Sequence, residues 1–217
     1  VETIQRYIPY VQTNFVLGLD SDAGPEPFDL TKRFVDMTPG AFPGYSLLTA
    51  FGRAAPLNLT YQRAGRVLPF PFHFLNNNHA MNVRPANYTW PEFYDHVIAV
   101  AKHTFSWRAI ARRFRAVGER IPRWMNVVRA ISSEGFGRIR YYTAVRRQLE
   151  RDRAFRDYFE GETTTLPSFF TARLKSDLGP LWSWLPQGAL EHDPNAYGTA
   201  IAAIAPVPLR VLPAVSA

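Results

Sequence analysis

Val11-Gln12-Thr13-Asn14-Phe15-Val16-Leu17-Gly18-Leu19-Asp20-Ser21-Asp22 is an apolar run that stops on a glycine and passes into a cluster of acids. Residues 11–17 are mostly β-branched, aromatic or aliphatic and predict a buried strand whose C-terminal end opens into a polar loop. In α/β proteins that end is where ligands bind. Glycine there lets the backbone approach a ligand, and the acids can accept hydrogen bonds or cap the next helix. Read alone, the stretch fits either a core strand and turn or such a binding end.

Downstream, Asp22-Ala23-Gly24-Pro25-Glu26-Pro27 places acids and prolines where a helix begins. Phe28, Leu30, Thr31, Phe34 and Val35 then recur at helical spacing until Thr38-Pro39-Gly40. A second apolar run, 42–49, predicts the next strand. Strand, helix and strand within about 40 residues make one unit of a parallel sheet or barrel. The second strand leads into a glycine-bearing loop, Phe51-Gly52-Arg53-Ala54-Ala55-Pro56-Leu57, and a helix closed by Gly65-Arg66.

The order of these motifs resembles the second half of a radical S-adenosylmethionine (radical SAM) barrel. Phe15 to Asp22, the helix carrying Thr31-Lys32-Arg33-Phe34, Leu47-Leu48-Thr49, Ala55-Pro56-Leu57 and Gly65-Arg66-Val67-Leu68 are similar to the branch with an N-terminal cobalamin-binding domain. Asn82-Val83-Arg84-Pro85 and the helix ending Phe105-Ser106-Trp107-Arg108 resemble the end of that barrel. The family's Gly-x-Ile-x-Gly-x-x-Glu signature falls on Asn14, Val16, Gly18 and Ser21, so its first glycine and its acid are replaced.

The resemblance implies an α/β fold: the C-terminal part of a partial (β/α)6 radical SAM barrel, after which the Arg-rich sequence itself predicts an α-helical extension. Charge, spacing and composition predict a basic helical extension over 89–160, short helices and turns over 161–204 and a Pro/Ala-rich tail over 205–217, and the resemblance implies barrel units over residues 1–88. It implies reductive cleavage of S-adenosylmethionine at a 4Fe-4S cluster, cobalamin in the full-length protein, and a reductant such as flavodoxin or ferredoxin. The adenosyl group would lie against Phe15, Val16, Leu17, Gly18 and Asp20 of one strand end and Leu47, Leu48 and Thr49 of the next. The chain has no cysteine, which excludes disulfides and thiolate metal sites within it. The three cluster thiolates would therefore lie upstream, and a start on Val1-Glu2-Thr3 without methionine carries the expectation of a piece of a longer protein.

Two histidines six apart, His73 and His79, sit in the aromatic and amide-rich run 70–79, where no third metal ligand is evident. Thr89-Trp90-Pro91-Glu92 predicts a capped helix start with an apolar stripe of Phe93, Val97, Val100, Ala101 and Phe105, and His96 and His103 on one flank.

The charge then changes. The run 108–153, opened by Arg108 and closed by Arg153, holds thirteen arginines, four acids and no lysine, a local balance of +9. The whole chain is +7, so the remainder carries −2. Helices broken at Gly118, Pro122 and 135–137, with Tyr141, Tyr142, Val145, Leu149 and Phe155 as an apolar face, are expected here. Interleaved Trp107, Phe114 and Trp124 suit an anionic membrane surface or a phosphate backbone, and arginine also suits a solvated helix face. No nucleic-acid motif is present, which makes the membrane the better of the two partners. The substrate expectation is a small or lipid-like molecule, and the alternative to an enzyme is a basic helical binding module. No apolar run reaches the roughly 18 residues that span a bilayer, so the expected location is cytoplasmic, peripheral to the inner face of the membrane.

Overall fold

The computed structural model describes residues 1–52, 55–76 and 79–191. Arg53, Ala54, Asn77, Asn78 and the tail expected over 205–217 lie outside the described residues. The fold is α/β and mostly helical, with a two-stranded parallel sheet.

After a short helix α1 (Glu2–Gln5), strand β1 (Gln12–Leu17) pairs with β2 (Phe42–Leu47), with Gln12 opposite Phe42 and Leu17 opposite Leu47. Helix α2 (Glu26–Met37) makes the crossover, with Pro at its start, Glu26 and Asp29 in its first turn, and Phe28, Thr31 and Val35 buried. The strand–helix–strand expectation is met.

The expectation that β1 is a buried strand is corrected. Leu17 is buried and Phe15 partly so, while Gln12, Asn14 and Val16 are exposed. Side chains alternate across a strand, and helices cover only one face of this sheet. On that face Phe15 meets Phe34 edge-on at 5.5 Å and stacks on Tyr45 at 5.7 Å.

Past α3 (Pro56–Arg63), the chain returns through a single 3-10 turn (Phe72–Phe74) and an antiparallel bridge, Val67 to Val83. Helix α4 (Trp90–Thr104) begins with the predicted capping box, in which Thr89 accepts from the Glu92 N–H and Glu92 accepts from the Thr89 N–H. It is followed by α5 (Trp107–Ala116), α6 (Arg120–Ile131), a π turn (Ser133–Gly137), α7 (Arg138–Arg151), α8 (Arg153–Glu160) and α9 (Ser168–Leu178). The break at Gly118 is observed, whereas the second falls at Ser132, and residues 135–137 belong to the π turn that runs into α7. Pro122 breaks nothing: it sits in the first turn of α6, where its missing N–H has no helical partner to lose.

The apolar core is one cluster running from Leu17 to Leu174, crossing the boundary expected between 88 and 89. Its densest part is aromatic: Phe70 lies 5.0 Å from Phe170 and 5.1 Å from Tyr158, and Trp90 lies 4.8 Å from Phe159. The Trp90 indole N–H donates to the Phe159 carbonyl at 2.8 Å, so its polar edge is satisfied inside the core. Trp182 packs partly buried against this cluster beneath Lys175, whereas Trp184 is exposed.

One buried amide joins the strand end to the return segment. Asn82 accepts from the Ala50 N–H at 2.7 Å and donates to the Ala50 carbonyl at 2.8 Å, with both residues wholly buried. Asn82→Ala strands both backbone groups, so thermal or urea unfolding is expected to show a loss of about 2–4 kcal/mol, at roughly 1–3 kcal/mol per unpaired buried group. Asn87→Ala removes bonds to two exposed carbonyls and is expected to cost under about 1 kcal/mol.

Candidate functional site

The C-terminal ends of the strands are closely packed. Gly18 has φ +93°, and a Cβ there would stand 2.6 Å from Met81 Sδ and 3.1 Å from Phe93, so both conformation and space require glycine. The Gly18 and Leu19 N–H groups donate to the Asp22 carboxylate, each at 3.1 Å. Asp20 takes both guanidinium nitrogens of Arg66 at 2.7 and 2.8 Å, and that bond holds its carboxyl below the ordinary value. Asn87 donates to the Asp20 and Asp22 carbonyls. The acids after Gly18 thus hold the loop in place.

This packing separates the residues singled out from sequence. Phe15, Leu17 and Leu47 point into the core behind the sheet. Gly18 and Leu48 are buried, Asp20 is occupied by Arg66, and Thr49 is half-buried. Val16 alone of the eight stands on the open face, 49% exposed.

That open face carries a different set. Gln12, Asn14 and Val16 line up with Gly44 and Ser46 of β2. Gln12 Nε2 donates to Asn14 Oδ1 at 2.6 Å. A Cβ on Gly44 would come within 2.5 Å of Asn14 Oδ1 and 2.7 Å of Gln12 Nε2, so the missing side chain leaves the hollow into which the two amides lean. The hollow, about 260 Å³, is closed by Asn76, Glu134 and Arg138. Arg138 donates to the Tyr45 carbonyl at 2.8 Å, on the side of β2 away from β1. In a parallel ladder the bonds Leu17 and Val11 accept from Leu48 and Phe42 assign odd residues of β1 to β2. The backbone groups of Gln12, Asn14 and Val16 therefore face the other edge of β1, which pairs with no strand among the described residues.

Glu134 and Arg138 also belong to a larger cleft of about 980 Å³ between α7 and α9, so the hollow and the cleft are neighbours. His73 and His79 meet there with ring centroids 6.2 Å apart. His73 Nε2 lies 3.1 Å from Asp177 Oδ2, Arg173 Nε donates to the same oxygen at 2.8 Å, and His79 Nδ1 pairs with Asn76 Oδ1 at 2.9 Å. Burial would raise the Asp177 carboxyl, but bonds from Arg173 and His73 outweigh it and leave its pKa lowered. Burial, then the nearby Arg173 charge, lowers that of His79. Tyr141, under the Arg173 guanidinium at 5.5 Å, keeps a buried hydroxyl without a partner among the described residues, and burial raises its pKa.

Both acids of the cleft are engaged: Asp177 by Arg173 and His73, and Glu134 by Arg129 at 2.9 Å. Arg140 pairs with no acid among the described residues. The cleft therefore offers cationic and hydrogen-bonding groups suited to a small anionic or polar ligand. No group of three His, Cys, Asp or Glu among the described residues could hold a metal ion.

Sequence reasoning noted the two histidines but missed Asp177, Arg173, Gln12, Asn14 and Gly44. Asp177 arrives on a helix 104 residues after His73, and local spacing carries no signal of that. His96 stacks on Phe28 at 4.6 Å, and His103 joins Asp36 at 3.1 Å, so both serve packing.

No family model, characterised protein or solved structure matches the chain.

The lowered pKa of His79 sets a sign for stability. A buried imidazole that stays neutral contributes fully above its ordinary pKa of about 6.5, and the contribution is lost as pH falls through that value toward the depressed one. Unfolding followed by fluorescence between about pH 7 and 5 is expected to show falling stability, with a shallower slope in His79→Phe.

Proposed function

We propose that β1 and β2 are the adenosyl-facing wall of a radical SAM barrel in a full-length iron–sulfur enzyme. The observation that carries this reading is the open face of the parallel pair: Gln12, Asn14, Gly44 and Ser46 line a polar hollow, with Val16 on the same face, beside a strand edge unpaired among the described residues. The motif order of Phe15 to Arg66 supports it. Among the residues first singled out, Val16 contributes apolar contact, and Phe15, Leu17 and Leu47 anchor the strands in the core behind the sheet.

The residues fit the group. The Asn14 and Gln12 amides can exchange their mutual bond for bonds to a nucleobase or ribose, Ser46 adds a hydroxyl, and Gly44 lets a flat ring approach the backbone. When bound at a reduced 4Fe-4S cluster, S-adenosylmethionine supplies the radical that starts methylation, cyclisation or rearrangement. These residues contain no cysteine, so the cluster is held from elsewhere in the full-length protein. Cobalamin and a flavodoxin or ferredoxin reductant belong to the same reading. The adjoining cleft, with His73, His79, Arg140 and Arg173, holds a polar or anionic portion of the substrate.

The test uses anaerobically reconstituted full-length protein. Wild type is expected to carry about four irons per chain and to release 5′-deoxyadenosine from S-adenosylmethionine with a strong reductant. Gly44→Val fills the hollow and is expected to weaken S-adenosylmethionine binding by about tenfold or more with iron content unchanged. Wild-type protein with neither iron nor 5′-deoxyadenosine overturns the reading.

A further inference from the structure

The arginine run divides into two populations. Arg113 is buried, donates to the Thr104 carbonyl at 2.6 Å, and is lowered by burial to a pKa of about 10. Arg123 caps the end of α5 through the Val117 carbonyl at 2.9 Å. Arg129 packs 4.0 Å over Phe42 and binds Tyr10 and Glu134. Arg112 pairs with Asp36 and Arg146 with Asp95. These side chains assemble the fold. Arg108, Arg115 and Arg120 are exposed and pair with no acid among the described residues.

The unpaired group accompanies an unusual helix. The outward face of α6 carries Ile121 at 75% exposure, Trp124 at 56%, Met125 at 44%, Val128 at 58% and Ile131 at 44%. Their spacing of three, one, three and three puts them on one helical stripe. The opposite side, with Asn126 and Ala130, is buried. A surface helix normally turns that exposed stripe polar. Together with Pro9 and Pro122 the stripe borders a shallow apolar groove of about 1090 Å³, flanked by Arg120 and Arg129, with Glu119 its one acid. Beyond Pro9, exposed Ile4, Tyr7 and Ile8 extend the apolar surface along the chain.

We infer that α6 and the adjoining α1 segment dock the protein onto an anionic lipid bilayer, with the stripe in the acyl boundary and Arg108, Arg115 and Arg120 at the headgroups. Charge complementarity selects this occupant: residues 107–131 hold seven arginines against the single acid Glu119. Trp124 meets the Phe114 ring at 5.1 Å, beside Arg115 in sequence, which gives the apolar stripe the aromatic border that interfacial helices use. No described helix is long and apolar enough to cross a membrane, so contact is from one side. This goes beyond the adenosyl reading and stands without it.

The experiment is co-sedimentation of full-length protein with vesicles of phosphatidylcholine alone or mixed with phosphatidylglycerol. Binding to the mixed vesicles is expected, with affinity about tenfold or more above that on phosphatidylcholine alone and falling with salt. Ile121→Ser with Val128→Ser changes only exposed side chains and is expected to weaken binding by about tenfold or more. Arg115→Glu with Arg120→Glu is expected to remove the preference for phosphatidylglycerol. Failure to sediment with mixed vesicles overturns the inference. So does binding indifferent to the Ile121/Val128 pair, or a vesicle-independent change in molecular mass or melting temperature in that variant, which would assign the stripe to a second copy or to another part of the protein. 5′-Deoxyadenosine formation in detergent-free solution reports on the enzyme reading separately.

Discussion

Helix α4 is buried on more than one side, and the rest of the molecule is arranged by what its faces accept. Phe93 approaches Gly18 and fills the space beside Met81; Phe105, at its C-terminal end, meets Tyr45 at 6.2 Å; Tyr94 meets Tyr142 of α7 at 6.0 Å; Trp90 meets Phe159 of α8. A two-stranded parallel sheet has little area of its own to bury. It is ordered here because α2 and α4 cover one face, and the buried Tyr45 hydroxyl finds Thr104 on α4 as its partner. Covering one face leaves the other to Gln12, Asn14, Val16, Gly44 and Ser46, so the open face is a consequence of how α4 packs.

The parts of this arrangement legible in the sequence are those set by local chemistry. Gly18, Pro25, Pro27 and Gly40 punctuate the strand–helix–strand unit, and Thr89 with Glu92 announces α4. Alternation was the weaker signal: Val11 to Leu17 reads as continuous apolar character because Thr13 and Val16 are β-branched, yet Val16 faces outward with Gln12 and Asn14. Positions chosen by motif therefore scattered over two faces and a tied loop. The cleft was less legible still, since His73, Glu134 and Asp177 come from segments far apart in the chain and meet only through tertiary packing.

The arginines carry the same lesson in electrostatic terms. A run of thirteen looks uniform in sequence, but a guanidinium is equally suited to capping carbonyls, stacking on rings and remaining in water. Arg113 and Arg129 took the first two roles because α5 and α6 bring them to Thr104, Phe105 and Phe42. Arg108, Arg115 and Arg120 have no such neighbours among the described residues. The helical period of Ile121, Trp124, Met125, Val128 and Ile131 was visible in the sequence, but its direction was not, because an apolar stripe ordinarily faces the core.

The stripe and the open sheet face are mechanically connected through Arg129. Its guanidinium lies over Phe42, the first residue of β2, and holds Glu134, which borders both the polar hollow and the cleft. Phe42 marks the N-terminal end of the sheet, whereas Gly18 and Leu48 mark the other, about 20 Å away at about 3.3 Å per residue. A bilayer against α6 would thus lie near the strand beginnings and leave the strand ends clear of the headgroups. Any displacement of α6 on docking would pass first to the Arg129–Glu134 pair, since only Ser132 and the π turn of Ser133–Gly137 separate α6 from α7. Gly135 has no room for a side chain, its Cβ position falling 1.9 Å from the Ala130 carbonyl oxygen, so that turn is tightly determined. Glu134 is held in this tight turn and bonded to Arg129 of α6, so the acid that borders the cleft is positioned directly beside the helix that carries the apolar stripe.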